Sequence, residues 1–146
     1  MPGPPDIELL LRELGHLIRQ LTRLVGGADD GPPMTATQRI ALVELGDDGP
    51  LRLNDLAKRM GTSTPTASRA VDTLEALGLV TRAPESNDRR ALSIEVSPRG
   101  RDLLDERLRR AAHAFQPAAA TLTAADRRAL LALLRQMTDA LRAKPS

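Results

Sequence analysis

The segment from Leu53 to Gly100 constrains this 146-residue chain more than any other part of it. It predicts a short helix over Asp55–Met60, a turn at Gly61-Thr62-Ser63 and a second helix over Thr64–Leu77. A hairpin follows, with Leu79–Arg82 and Leu92–Val96 as its strands and Ser86-Asn87-Asp88-Arg89-Arg90 as its tip. Two helices joined by a tight glycine-containing turn, followed by a basic two-stranded wing, fit the grooves of duplex DNA.

The flanking segments are helical by period. Ile7, Leu10, Leu11, Leu14, Leu17, Ile18, Leu21, Leu24 and Val25 recur at i, i+3, i+4 and i+7, with Asp6 as the expected N-cap and Gly26-Gly27 as the stop. A second helix starts at Thr35, with Gln38 as capping-box partner and Ile40, Leu42, Val43 and Leu45 as its apolar side. The run Gly46 to Pro50 is expected to stop it, Leu51–Leu53 to form a short strand, and Asn54 to cap the next helix. Leu56, Ala57 and Met60 are the inward residues of that helix, and Gly78 is the natural terminator of the one after it. Ser97-Pro98 launches a helix carrying Leu103, Leu104, Leu108, Ala111, Ala112 and Phe115, ended or kinked at Pro117. A capping box from Thr123 to Asp126 opens the last helix, with Leu130, Leu131, Leu133, Leu134, Met137 and Leu141 expected to face inward.

The fold class that follows is mainly α with a small antiparallel β-wing. A winged helix-turn-helix lobe spans residues 35–100, and outer helices span 6–26 and 97–143, all within one domain of 1–146. Nine large aliphatics on the first helix alone exceed what a small lobe can cover. The expectation is a homodimer in which terminal helices of two chains pack together; packing within one chain is the alternative.

With Ala67, Val71 and Leu74 facing inward, Pro65, Arg69, Asp72, Thr73 and Ala76 point outward on the second helix of the pair. The candidate DNA-binding residues are Ser63, Thr64, Pro65, Thr66, Ser68 and Arg69, together with Arg89 and Arg90 on the wing. Arg69 suits guanine O6 and N7, and Pro65 and the threonine methyls suit a thymine methyl. One of Thr62 and Ser63 is also expected to cap the helix. Arg89 and Arg90 suit a narrow minor groove, and Asp88 is assigned to structuring the wing by pairing with a nearby arginine.

Composition narrows the partner. A formal charge of +2 permits nucleic-acid binding without deciding it. Phe115 is the sole aromatic residue, so the chain lacks the stacking platform that readers of single strands use, and duplex DNA is favoured. The chain has no cysteine, which removes disulfides, thiolate metal sites and thiol redox sensing. No apolar run suggests a membrane span, and Met1 to Asp6 do not read as a signal peptide, so a cytoplasmic location without membrane association is expected. No phosphate-binding glycine loop, HExxH motif or catalytic triad is evident, so neither enzyme activity nor a cofactor is expected.

The wing reads Asp88-Arg89-Arg90, then Ala91 to Glu95, then Val96-Ser97 and Gly100. The helix before it reads Ser63-Thr64-Pro65-Thr66-Ala67-Ser68-Arg69, leading to Leu74-Glu75-Ala76-Leu77-Gly78-Leu79-Val80. Together, in this order, these stretches resemble the MarR family (multiple antibiotic resistance regulators), over about Ile7 to Leu141. The resemblance implies an obligate dimer that binds a pseudo-palindromic operator, usually to repress nearby genes. It also implies a small-molecule effector, since many members release DNA when a small, often aromatic or phenolic, anion binds between the dimer helices and the DNA-binding lobe. His16, Arg19 and Arg23 are the candidates for meeting such an anion; a core or interface histidine and ordinary surface arginines are the other readings. His16 lies near the inner side of the first helix and His113 near Phe115, and two histidines without cysteine make a poor zinc sensor. The other function class is a winged-helix module that binds protein and no longer binds DNA. Arginine on both the reading helix and the wing argues for DNA.

Overall fold

A computed structural model describes residues 5–26, 31–85 and 88–143, with the backbone alone for residues 25, 26 and 88–90. Ser86 and Asn87 of the expected hairpin tip, and Gly27, lie outside the described residues. The elements run α1 (Pro5–Gly26), α2 (Ala36–Asp48), β1 (Leu51–Arg52), α3 (Leu53–Met60), α4 (Thr64–Ala76), β2 (Val80–Glu85), β3 (Asp88–Val96), α5 (Pro98–Ala119) and α6 (Ala124–Arg142). The sheet is antiparallel in the order β1-β3-β2. The fold is therefore mainly α with a small β-wing, and its middle is a winged helix-turn-helix.

The chain divides into two compact units, one of Met1–Ala28 with Arg110–Ser146 and one of Asp29–Arg109. The second unit has a continuous apolar core. Leu42 and Leu45 of α2, Leu56 of α3, Val71 and Leu74 of α4, Leu79, Val80 of β2 and Ile94 of β3 are fully buried in it. Each such side chain contributes about 1.5–3 kcal/mol of transfer free energy, which holds three helices against one face of the sheet.

Local chemistry sets the helix starts. The Thr35 hydroxyl accepts from the Gln38 N–H at 3.2 Å, and Gln38 Oε1 accepts from the Thr35 N–H at 2.9 Å, closing the capping box of α2. That helix runs through Gly46 and stops at Asp48, where the Gly49 N–H reaches the Leu45 carbonyl. One glycine costs a helix about 1 kcal/mol, too little to end it, and the Gly46 carbonyl is held by Arg101 at 3.1 Å. The expected inward set of α2 also changes: Ala41, Leu42 and Leu45 are buried, whereas Ile40 and Val43 are exposed.

Strand β1 passes directly into α3. Arg52 is extended and pairs with Ser93, and Leu53 is already helical, so Asn54 is not the cap expected of it. Its amide oxygen instead accepts from the Thr64 hydroxyl at 3.3 Å, joining the starts of α3 and α4. Gly61 ends α3 in the left-handed region, with φ 66, a conformation that glycine adopts without steric cost. This reversal lets α4 begin three residues later.

Ser97 joins three elements. Its Oγ donates to the Gly78 carbonyl at 2.6 Å, at the exit of α4, and accepts from the Gly100 N–H at 3.1 Å, in the first turn of α5. The Ser97 N–H donates to the Leu79 carbonyl at 2.9 Å. Gly100 lies against that same carbonyl, so closely that a Cβ there would collide with it. A serine and a glycine three apart are thus what allow α5 to start beside the exit of α4.

In the other unit, α1 begins at Pro5, so Asp6 sits within its first turn and does not cap it. The Thr123 hydroxyl caps α6 by accepting from the Asp126 N–H at 3.1 Å. Pro117 does not stop α5, which continues to Ala119, because it falls in the last turn where few helical bonds remain to be lost. The α6 residues expected to face inward are exposed in the single chain, as are Leu108 and Ala112 of α5; no residue of α6 is buried. His16 and His113 are exposed as well.

Replacing Ser97 by Ala should lower stability by about 1.5–3 kcal/mol, because it removes a helix cap and leaves the buried Gly100 N–H without its acceptor. Urea denaturation measures this; a loss under 0.5 kcal/mol would mean that Ser97 is not the junction described.

Candidate DNA interface

The inner face of α4 decides what its outer face presents. Ala67, Ala70, Val71 and Leu74 are buried, which leaves Pro65, Arg69, Asp72, Glu75 and Ala76 exposed. The candidate residues at the start of α4 divide by what already holds them. Ser63 caps the helix: its Oγ accepts from the Thr66 N–H at 3.3 Å and donates to Thr66 Oγ1 at 2.9 Å. Thr64 is half-buried and bonded to Asn54. Thr66 and Ser68 are half-buried, and Pro65 is exposed in the first turn. Thr66 Oγ1 accepts from Ser63, which leaves its own O–H as a donor. Arg69 is exposed and forms no ion pair among the described residues.

The wing stem is pinned on both faces. The register Arg82↔Ile94 places Arg82 on the core side of the sheet, where its NH2 meets Asp72 Oδ1 of α4 at 2.6 Å. On the other side, Arg52 holds Glu85 with a two-pronged fork: Nε to Oε1 at 2.8 Å and NH2 to Oε2 at 2.6 Å. The wing is thereby tied to α4 by one arginine and to the start of α3 by another. Arg59 of α3 meets Asp48 at the end of α2 at 2.9 Å. The hydrogen bonds from Arg52 and its positive charge hold the Glu85 carboxyl below its ordinary value of 4.5.

The strands run further than the sequence suggests: Glu85 pairs with Asp88, so Asp88, Arg89 and Arg90 belong to β3 and not to a loose tip. Their side chains are not among the described ones, so the expected pairing of Asp88 with an arginine lies outside what the structure describes. His16, Arg19 and Arg23 are all exposed on α1. Among the described residues no cluster of histidine and carboxylate groups could hold a metal ion, and no helix is long and apolar enough to cross a membrane.

The pinning residues Arg52, Glu85 and Arg82 escaped the reading of the sequence. Arg52 and Glu85 are 33 positions apart, so no local spacing connects them. Asp72 and Arg82 are 10 apart and on different elements; only the exposed position of Asp72 on α4 hinted at a partner.

A helix-turn-helix with a pinned wing and an arginine exposed on its second helix is an architecture found among DNA-binding transcriptional regulators. The comparisons with known proteins agree. The MarR family model (MarR_2) matches residues 33–91. The HTH-type transcriptional repressor NicR of Pseudomonas putida is 31% identical over 131 residues, covering 87% of this chain and 83% of NicR. The crystal structure of RV1404 from Mycobacterium tuberculosis superposes with a TM-score of 0.75 at 25% identity, covering 100% of this chain and 99% of the other. Bordetella bronchiseptica BpsR, whose DNA binding is regulated by 6-hydroxynicotinic acid, gives a TM-score of 0.54 at 30% identity, covering 86% and 98%. The chain belongs to the MarR family of transcriptional regulators.

The Glu85 pairing has a pH signature. A carboxyl held low in the folded state contributes stability that is present above its unfolded value, near 4.5, and lost as pH falls through the folded one. Wild-type protein should therefore be slightly more stable than Glu85→Gln at pH 6, by the small margin that an exposed pair gives, with that margin shrinking from about pH 4.5 downward. Thermal melts of both across pH 3–7 test this; a difference that stayed constant down to pH 3 would contradict it.

Proposed function

We propose that this regulator is a homodimeric repressor that recognises a pseudo-palindromic duplex operator and releases it on binding a small organic acid. The observation that carries the reading is the outer face of α4. Pro65 and Arg69 are exposed at the end of the helix that reads bases in helix-turn-helix proteins, and Arg69 has no ion-pair partner among the described residues. A surface arginine without a carboxylate partner, next to hydroxyls at a helix start, suits phosphates and guanine edges. Pro65, Thr66, Ser68 and Arg69 are the proposed base and phosphate contacts. Ser63 and Thr64 shape the start of the helix and stand within reach of the backbone. Arg89 and Arg90 are the proposed wing contacts, with Asp88 structuring the turn that carries them. A protein-binding module has no comparable need for this arginine.

The dimer reading rests on α1 and α6. Leu9, Leu11 and Ile18 of α1, and Leu133 and Leu141 of α6, are all more than half exposed in the single chain. Such stripes are what terminal helices of two chains bury against one another. A two-fold dimer would set two copies of α4 on successive major-groove faces, ~34–36 Å apart. The effector reading rests on relatives: NicR is a repressor, and BpsR responds to 6-hydroxynicotinic acid. His16, Arg19 and Arg23, spaced three and four apart on α1, are the proposed partners for a carboxylate.

Gel shifts with the purified protein on its operator test the DNA reading. Arg69→Ala should cost ~1–3 kcal/mol on the operator and much less on random duplex if it reads guanine. Replacing Arg89 and Arg90 by Ala should weaken both. Titration with 6-hydroxynicotinic acid should release the shifted band. Unchanged affinity in both variants would refute the interface, and no release would remove this acid as effector.

The dimer has its own test. Leu134 is exposed in the single chain, so Leu134→Glu should leave a monomeric protein's stability within about 0.5 kcal/mol. In a dimer buried on α6 it should halve the mass by light scattering or abolish folding. A monomeric wild type, or an unchanged dimer in the variant, would contradict the proposal.

A further inference from the structure

Strand β2 loses its regular pairing at a proline. From Val80↔Val96 to Pro84↔Leu92, each step along β2 matches one step back along β3. The next pair is Glu85↔Asp88, so Arg89, Arg90 and Ala91 are passed over in a bulge. Pro84 has no N–H to donate, and on this edge strand it is the last residue in regular register before the bulge. Beyond it, backbone pairing fixes the wing less firmly, at the point where its two arginines lie.

Arg52 supplies a fixing there. Its backbone, in β1, pairs with Ser93 of β3, and Ser93 pairs with Ala83 of β2; Glu85, two residues beyond Ala83, shares that face of the sheet. The guanidinium fork therefore crosses the central strand and grips the first residue past the irregularity. Leu53, the next residue after Arg52, begins α3. An exposed pair of this kind adds little to global stability. A planar bidentate fork does restrict direction, as a single ammonium contact does not.

We propose that Arg52 is a positioning residue for the wing: its fork on Glu85 sets where the Arg89–Ala91 bulge leaves the sheet relative to the helix-turn-helix, and so allows wing and α4 to engage one duplex together. This rests on the DNA-binding reading above. The role differs from that of a phosphate contact in the sign of one effect. Glu85 is an anion, so its removal should strengthen binding to DNA if charge alone mattered. A positioning role requires the opposite.

The experiment uses full-length protein and fluorescence anisotropy on the operator duplex, with Arg52→Gln, Glu85→Gln and the exchanged pair R52E/E85R. Both single variants should bind about three- to tenfold more weakly, with melting temperature near that of wild type, and the exchanged pair should recover most of the loss. Hydrogen exchange on the free protein should show faster exchange of the amides of residues 88–91 in Arg52→Gln. Tighter or unchanged binding by Glu85→Gln, or unchanged exchange, would overturn the proposal. If wild-type protein binds no duplex at all, the functional reading fails; the exchange measurement, which needs no DNA, still decides whether Arg52 fixes the wing.

Discussion

Burial of one stripe of α4 governs the rest of the lobe. Ala67, Ala70, Val71 and Leu74 pack into the core with Leu42, Leu45, Leu56 and Ile94, and this fixes the rotation of the helix about its axis. Once that rotation is set, Pro65 and Arg69 face outward at one end and Asp72 meets Arg82 of the wing further along. Small residues at 67 and 70 let α4 sit close to its neighbours, and a larger side chain at either would push the reading face out of place. The outward chemistry is a consequence of inward packing.

Short polar bonds then hold the ends of this packed unit. Ser63 starts α4, Ser97 joins its exit to α5, and Asn54 joins the starts of α3 and α4 through Thr64. The wing, which adds little to the core beyond Val80 and Ile94, is instead oriented by charge. One arginine on each face of the hairpin meets a carboxylate, Arg82 with Asp72 and Arg52 with Glu85, while Arg69 forms no ion pair among the described residues.

What could be read from the residues follows the range of the interactions. The fold class and family were legible because winged helix-turn-helix signals are local: a glycine at the turn, buried positions at helical period, and caps three residues apart at Thr35, Ser63, Ser97 and Thr123. The entry to α3 departs from the expectation because a strand and a helix meet with no residue between them, and Asn54 looks like a cap while serving Thr64. The wing strands are longer than their residues suggest, because Asp88, Arg89 and Arg90 resemble a loop, yet Asp88 pairs with Glu85 across the bulge. Pairs such as Arg52 and Glu85 leave no periodic trace at all. In the other unit the apolar stripes of α1 and α6 were legible, but a stripe does not say what covers it; in the single chain the α6 stripe is exposed.

The claim at the centre is that two copies of α4 enter successive major-groove faces of one duplex while each wing meets the adjoining minor groove. Hydroxyl-radical and methylation footprinting of the operator by the purified protein test this most directly. The account predicts two major-groove zones of guanine protection, ~34–36 Å apart on one side of the helix, flanked by protected minor-groove sugars. A single protected zone, or none in the major groove, would contradict it.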